Sequence, residues 1–169
     1  MERFLKLPRA FHFIVGSMLA IAFCIRVGSN VYLLLVRCAF IAYWLIYPYA
    51  IAATLSLRIS KRIDLNLTLF SINWIATFIC FTLVQVASFI YEKDEFQVHG
   101  PLALLGFYLI YAFIFSFLFP AKIIKTIERG TEVRYGEALG AFLLLIFMPI
   151  NVLTMHKRVL EALKKSVIR

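Results

Sequence analysis

The chain is poor in acidic residues and in charge as a whole. Only 9 of its 169 residues are Asp or Glu, and charged residues together make up 16% of the composition. Soluble domains carry about 25% charged residues and are about half apolar, whereas this chain is 63% hydrophobic with a mean hydropathy of +0.89. The composition therefore excludes an ordinary water-soluble domain and favours a protein immersed in lipid.

Cysteine and linker residues are also scarce. The three cysteines, Cys24, Cys38 and Cys80, lie in apolar stretches and form no Cys-x-x-Cys pair, which disfavours metal and redox roles. No stretch rich in Gly, Ser or Pro divides the chain, so we expect a single integral membrane domain over residues 1–169. We expect no cofactor.

Long apolar segments are what the sequence does contain. About 20 apolar residues cross the hydrocarbon layer as a helix, and backbone groups in lipid must be hydrogen-bonded within the segment. The sequence therefore predicts an all-α polytopic transmembrane helical bundle with four spans and a fifth apolar segment that contains Pro149. The segments are residues 10–27, 31–57, 67–91, 102–119 and 138–155.

The basic tail, residues 156–169, has its own pattern. Apolar residues recur at helical spacing while Lys157, Arg158, Lys164 and Lys165 take other faces, which predicts a basic amphipathic helix. Such a helix lies on an anionic membrane surface or docks on a partner protein. The net charge of +9 fits anionic head groups better than nucleic acid, because the basic residues gather at segment ends.

Basic residues in the short loops predict the topology, since cytoplasmic loops carry the excess of Lys and Arg. The start of the chain, the link at Arg58, Lys61 and Arg62, and the link at 122–134 are basic, whereas the link at 92–95 is mostly acidic. Four crossings with a cytoplasmic N-terminus result. The charge rule also places the basic tail in the cytoplasm. The fifth segment is therefore re-entrant or lies in the membrane interface, with a break near Pro149, or the molecule is an exception to the charge rule.

Two sets of polar residues are candidates for a site. Pro120 is expected to end the fourth segment. The link that follows it is predicted to extend the helix as far as Gly130. Carboxylates alternate with cations in this link, so it is a candidate interaction surface. Its members are Lys125, Glu128, Arg129, Glu132, Arg134 and Glu137.

The second set consists of Arg37, Asn73 and Gln85 inside the apolar segments. Polar residues at membrane depth are costly and are functional suspects, although snorkelling and interhelical hydrogen bonds explain them as well. His12, near a segment end, reads as interfacial, and His12, His99 and His156 fall in separate regions, so no catalytic or metal site is predicted.

A resemblance to a known group of proteins adds an expectation about the kind of organism and the membrane in which this protein occurs. Residues 66–73 and 121–151 resemble a group of small bacterial integral membrane proteins to which no activity is assigned. The similarity includes Glu128, Glu132-Val133, Gly136-Glu137, Gly140, Phe142 and Met148-Pro149-Ile150, while Ala141, Asn151 and Met155-His156-Lys157 depart from the group's pattern. The resemblance implies a multi-pass protein of the bacterial inner membrane.

These observations leave three functional hypotheses. The first is a non-enzymatic accessory or scaffold protein that contacts lipids and other membrane subunits through its basic loops and tail. The second is a small-molecule or ion transporter or channel, for which Pro48 and Pro149 are weak signs of broken helices. A lipid-active enzyme is the third, and it would need two of the histidines together beside a carboxylate.

Overall fold

The computed structural model describes residues 1–24, 31–59, 63, 65–91 and 100–165, and every regular element in these ranges is a helix. The all-helical prediction is confirmed for this part of the chain. In chain order the helices are α1 (Glu2–Leu5), α2 (Arg9–Cys24), α3 (Val31–Leu55), α4 (Leu67–Tyr91), α5 (Pro101–Arg129), α6 (Leu139–Ile146) and α7 (Met148–Lys164), with 3-10 turns at Ser56–Arg58 and Tyr135–Ala138.

Three of these helices, α3, α4 and α5, are long and apolar enough to cross a membrane. They contain 25, 25 and 29 residues. At about 1.5 Å per residue each one exceeds a hydrocarbon layer of about 30 Å. Helix α2 has 16 residues up to Cys24, and the remaining residues of the first predicted segment, 25–27, lie outside the described ranges. The predicted number of four or five spans is therefore not confirmed.

Helix α5 continues past Pro120, which the sequence analysis took as its end, and runs to Arg129. An interior proline removes one backbone hydrogen bond, but here it lies in a tightly packed stretch in which Phe119 and Ala121 are fully buried. Packing therefore outweighs the local penalty. The helix ends as predicted at Gly130, whose φ of 76° is the left-handed conformation that suits glycine.

The buried core occupies only one half of the bundle. Buried residues begin at Phe40 in α3 and at Ala112 in α5, and in α4 they are confined to its first half. Helices α3 and α4 are antiparallel, as the bond from Trp74 Nε1 to the Leu45 carbonyl (2.8 Å) and the stacked rings of Tyr49 and Phe70 show. The core thus lies toward the end where α3 and α5 finish and α4 begins, which we call the basic end.

The fifth apolar segment is broken into two helices. Helix α6 ends at Ile146, Phe147 forms the break, and α7 starts at Met148 with Pro149 in its first turn. Proline suits the first turn of a helix because it has no N–H to donate. The predicted segment 138–155 is therefore not a single continuous span, and the break lies beside Pro149.

Helices α6 and α7 meet at a bend at Phe147, and α7 returns to the basic end. We call this pair of helices the hairpin. The hairpin turn lies beside the middle of α3, where Trp44 Nε1 donates to the Ile146 carbonyl (3.1 Å). Helix α7 then runs parallel to α3, because Tyr47 bonds to His156 and Arg58 donates to the Leu163 carbonyl further along. The 14 residues from Trp44 to Arg58 correspond to about 21 Å of helix. The hairpin therefore reaches into the bundle without traversing its full length.

Residues 156–164 of the tail belong to this hairpin rather than to a separate helix, and residues 166–169 lie outside the described ranges. Helix α7 runs without interruption through residue 156, where the sequence analysis had placed the start of the tail. Its apolar residues Val159 and Leu163 are buried against the protein itself, while Lys157 and Lys164 remain exposed. The apolar face of α7 thus packs against the other helices, whereas the sequence analysis expected it to lie on a membrane surface.

An ion pair fastens α7 to the end of α5. Arg158 donates from Nε and one terminal nitrogen to the two carboxylate oxygens of Glu128, both at 2.7 Å. Lys125 approaches the same carboxylate at 3.3 Å, and Lys165 Nζ donates to the Glu128 carbonyl at 2.9 Å. Bidentate charge-assisted bonds of this kind are the strong ones. Glu128 is therefore the centre of the clasp that holds the hairpin.

Replacing Glu128 with Gln is expected to destabilise the protein by about 1–2 kcal/mol, because the half-buried Arg158 loses its counter-ion. The measurement is thermal or denaturant unfolding in detergent micelles. Glu161→Gln is the matched control, since Glu161 is 59% exposed and lies 4.0 Å from Lys157. Equal stability of the two variants would contradict a central role for the clasp.

Candidate functional site: a buried histidine pair

The polar link after α5 is neutralised internally. Besides Glu128, Glu132 pairs with Lys122 at 2.9 Å, and Glu137 pairs with Arg129. Glu137 also accepts from the Arg134 backbone at 3.0 Å, and it lies within the 3-10 turn that leads into α6. The hydrogen bond from Arg129 lowers the pKa of the Glu137 carboxyl below its ordinary value. These residues form a salt-bridged connection, in which Arg134 is exposed at the surface.

Lys122 is the most deeply placed cation of this connection. Lys122 is only 8% exposed. Its Nζ lies beside Glu132 and 4.9 Å from the ring centroid of Tyr135. A carboxylate and an aromatic face together compensate the loss of water around an ammonium group. Lys122 therefore anchors the link along α5 instead of projecting to solvent.

Two of the candidates inside the apolar segments, Asn73 and Gln85, lie at separate levels of α4. Asn73 is fully buried in α4, and its Oδ1 accepts from the Tyr108 hydroxyl at 3.1 Å. Gln85 lies twelve residues further along α4, about 18 Å away along the axis. Arg37 is half-buried in the first part of α3. Asn73 thus makes an interhelical hydrogen bond with α5, well separated from Gln85 along α4.

A different polar cluster occupies the core. His12 and His156 are both fully buried, and their ring centroids are 4.8 Å apart. His12 comes from the first part of α2 and His156 from the middle of α7, so the pair joins the two ends of the chain. Buried ionisable groups inside a membrane protein mark functional positions by default. We take this pair, with Tyr43 and Tyr47 of α3, as the candidate functional site.

The hydrogen bonds of His12 suit a protonated ring. Its Nε2 lies 3.2 Å from the Phe4 carbonyl, which can only accept, so Nε2 carries a hydrogen. Its Nδ1 lies 3.0 Å from the Tyr43 hydroxyl, and that hydroxyl donates to the His12 carbonyl at 3.1 Å. If Nδ1 carries no hydrogen, it and the His12 carbonyl both need the single hydroxyl hydrogen of Tyr43. If Nδ1 carries a hydrogen, it donates to the Tyr43 oxygen, and all three contacts are satisfied together.

The environment of His156 favours a neutral ring. Nδ1 pairs with the Tyr47 hydroxyl at 3.2 Å, whereas Nε2 is buried and makes no hydrogen bond of normal geometry with a described residue. Burial lowers the pKa of His156 to about 4, and the neighbouring His12 and Arg9 act in the same direction. A weak interaction with the backbone of Leu7 opposes them. The two rings therefore have different hydrogen-bond surroundings in the same pocket.

Sequence reasoning missed this pair because the two histidines are 144 positions apart. One signal was present in α7, where Val152, His156, Val159 and Leu163 follow the spacing of a single helical face. The other three residues of that face are buried apolar side chains. His156 thus takes a core position, which the surrounding pattern could have indicated.

The site does not have the ligand set of a metal centre or a hydrolase. Among the described residues no group of three or more His, Cys, Asp or Glu side chains could hold a metal ion, and metal sites in proteins use three or four such ligands. No carboxylate of the described ranges hydrogen-bonds to either imidazole. The arrangement can bind and hold protons, and that is the chemistry it supports.

Comparisons with known proteins do not assign the chain. No protein-family model matches it, and neither the curated proteins nor the solved structures contain a match.

The stability of the protein is expected to fall as the pH is lowered from about 6.5 to about 4, because the pKa of His156 is depressed and the unfolded chain binds the proton more tightly. His156→Phe is expected to weaken this dependence, since phenylalanine fills the same space without titrating. Thermal unfolding in detergent across this pH range measures it. An unchanged pH dependence in the variant would show that other groups are responsible.

Proposed function

We propose that the chain is an integral protein of the bacterial inner membrane, with α2 to α5 crossing the bilayer and both termini in the cytoplasm. Helices α6 and α7 then form a re-entrant hairpin that enters from the cytoplasmic side. The position of the hairpin turn beside Trp44 supports this arrangement, because helix α7 runs back to the basic end. It also brings the basic tail to the side that the charge rule favours.

The four-crossing arrangement predicts that both chain termini face the cytoplasm. A cytoplasm-active reporter such as a fluorescent protein, fused either before Met1 or after Arg169, is expected to be active in both positions, and a periplasm-active phosphatase is expected to be inactive in both. Phosphatase activity at the C-terminal fusion alone would indicate a fifth crossing and contradict the re-entrant hairpin.

We further propose a non-enzymatic role as an accessory or scaffold subunit that presents the basic end to other molecules. The observation that carries this proposal is the pairing of carboxylates. Each of the five carboxylates in the described ranges makes an ion pair within the protein. They are Glu2, Glu128, Glu132, Glu137 and Glu161. Within the described ranges, no carboxylate is therefore left unpaired beside the surplus of cations.

Five exposed cations have no ion pair with any described residue: Arg3, Arg9, Arg134, Lys164 and Lys165. We take Arg3, Arg134 and Lys164 as the markers of the outward surface. They lie on the N-terminal segment, the link after α5 and the end of α7. A positive surface held on three interlocked elements is suited to anionic head groups and to an acidic segment of another membrane subunit. The ion pairs below it keep the surface rigid.

Removal of these three charges is expected to release the partner while leaving the fold intact. The wild-type protein, purified from its native membrane in mild detergent, is expected to migrate as a complex, and the combined variant Arg3→Gln, Arg134→Gln, Lys164→Gln as the free chain. The pair Lys157→Gln and Glu161→Gln changes the same end without changing its net charge and should retain the complex. Recovery of the wild type solely as a monomer would argue against the scaffold role.

A second candidate, a proton-coupled transporter, is favoured by one observation, the buried histidine pair. Proton relays in membrane transporters use such residues. Proton uptake into liposomes that contain the purified protein, with and without His156→Phe, tests it. An enzyme has less support, because the two histidines meet without the carboxylate that acid-base catalysis at this site would need.

A further inference from the structure

The N-terminal segment, residues 1–8, covers the histidine pair from the basic end. Leu5 is fully buried, and the Phe4 ring packs edge-on against His12 and Tyr47, with centroid distances of 5.1 and 6.3 Å. Two polar contacts fasten the segment: the Phe4 carbonyl accepts from His12, and Glu2 pairs with Arg58 at 3.4 Å. The segment therefore depends directly on the state of the pair that it covers.

Among the described residues, no carboxylate hydrogen-bonds to either ring of the pocket, so none is placed to balance a second proton. Helix α2 contributes His12 and the nearby Arg9, α3 contributes the neutral Tyr43 and Tyr47, and α7 contributes His156. The nearest ion pairs of the packed elements are already closed, Glu2 with Lys6 and Arg58, and Arg158 with Glu128. A second proton would place two imidazolium rings in contact inside the core.

The hydrogen bonds make the two protonation steps different. One proton on His12 finds acceptors already in place, namely the Phe4 carbonyl and the Tyr43 hydroxyl. A second proton on His156 would lie in contact with the charged His12 ring, and the Leu7 backbone, the acceptor among the described residues that favours it, makes no hydrogen bond of normal geometry with Nε2. Unpaired buried charge is strongly unfavourable, so the rings must separate or reach water.

We propose that the His12–His156 pair is a proton-binding site that takes one proton without rearrangement, and that a second proton displaces the N-terminal segment and opens the contact between α2 and α7. The ligand is a proton from the aqueous phase at the basic end. Acid would thereby expose the surface of α7 that residues 1–8 cover at neutral pH. This inference does not depend on the scaffold or transport role.

The first test measures access to Leu5. In a background with Cys24, Cys38 and Cys80 changed to Ala, Leu5→Cys is compared with Arg3→Cys, which is exposed two residues earlier, using dithiodipyridine, a thiol reagent that also reacts in acid. At neutral pH the residue-5 thiol is expected to react at least about tenfold more slowly than the residue-3 thiol, as for a site that must open first. Near pH 4 the two rates are expected to converge.

His156→Phe in the same background serves as the control for acid effects elsewhere in the protein. With no second proton to bind, Leu5→Cys is expected to stay protected near pH 4. Protection that persists in acid in the parent protein, or that is lost equally in the His156→Phe background, would overturn the proposal.

The second test needs no cysteine substitution and therefore guards against a packing defect at position 5. Carbon-13 labelling of the histidine rings allows both imidazoles to be titrated by NMR in the intact protein. His12 and His156 are expected to titrate in separate steps, and His12→Gln is expected to raise the midpoint of His156 because a neighbouring charge is removed. Two independent titrations at the ordinary histidine pKa of about 6.5 would overturn the proposal.

Discussion

The structure depends on the return of its last two helices to the end where α3 and α5 finish. Glu128 makes that return possible, because it holds Arg158 by two bonds of 2.7 Å and receives Lys165 on its carbonyl. Without this fastening, α7 would offer its apolar face to lipid or water. With it, Val152, Met155 and Val159 complete a core that α3 and α5 alone do not close.

The same arrangement explains why the core is one-sided. The hairpin fills the space beside the last parts of α3 and α5, and the fully buried residues of the bundle are concentrated there. In the other half of the bundle, residues 31–39, 80–91 and 103–111 include no fully buried residue. Side chains such as Leu35, Leu83 and Phe107 are exposed there. Such faces are stable in hydrocarbon, since lipid tails solvate them as well as other helices do.

The sequence predicted the long helices well because their determinants are local. Uninterrupted apolar runs produced the bounds of α4 to the residue, and Gly130 ended α5 through its left-handed conformation. Pro120 misled because its local penalty is outweighed by burial of its neighbours, which no sequence pattern displays. The meeting of His12 and His156 was not predictable either. It requires α2 and α7 to be adjacent, and that adjacency follows from the hairpin and from the clasp at Glu128.

A buried histidine pair would be a liability in a fold selected for stability alone. Apolar side chains of similar volume at both positions would remove two desolvation costs and the unpartnered Nε2 of His156. The fold instead surrounds the rings with Tyr43, Tyr47 and Phe4, and it closes the pocket with the N-terminal segment. The desolvation cost of the two histidines therefore falls at the contact between α2 and α7, and this contact also positions the hairpin. Protonation at this point changes the charge where α1, α2 and α7 pack together. A single proton can therefore affect the arrangement of all three helices at the basic end.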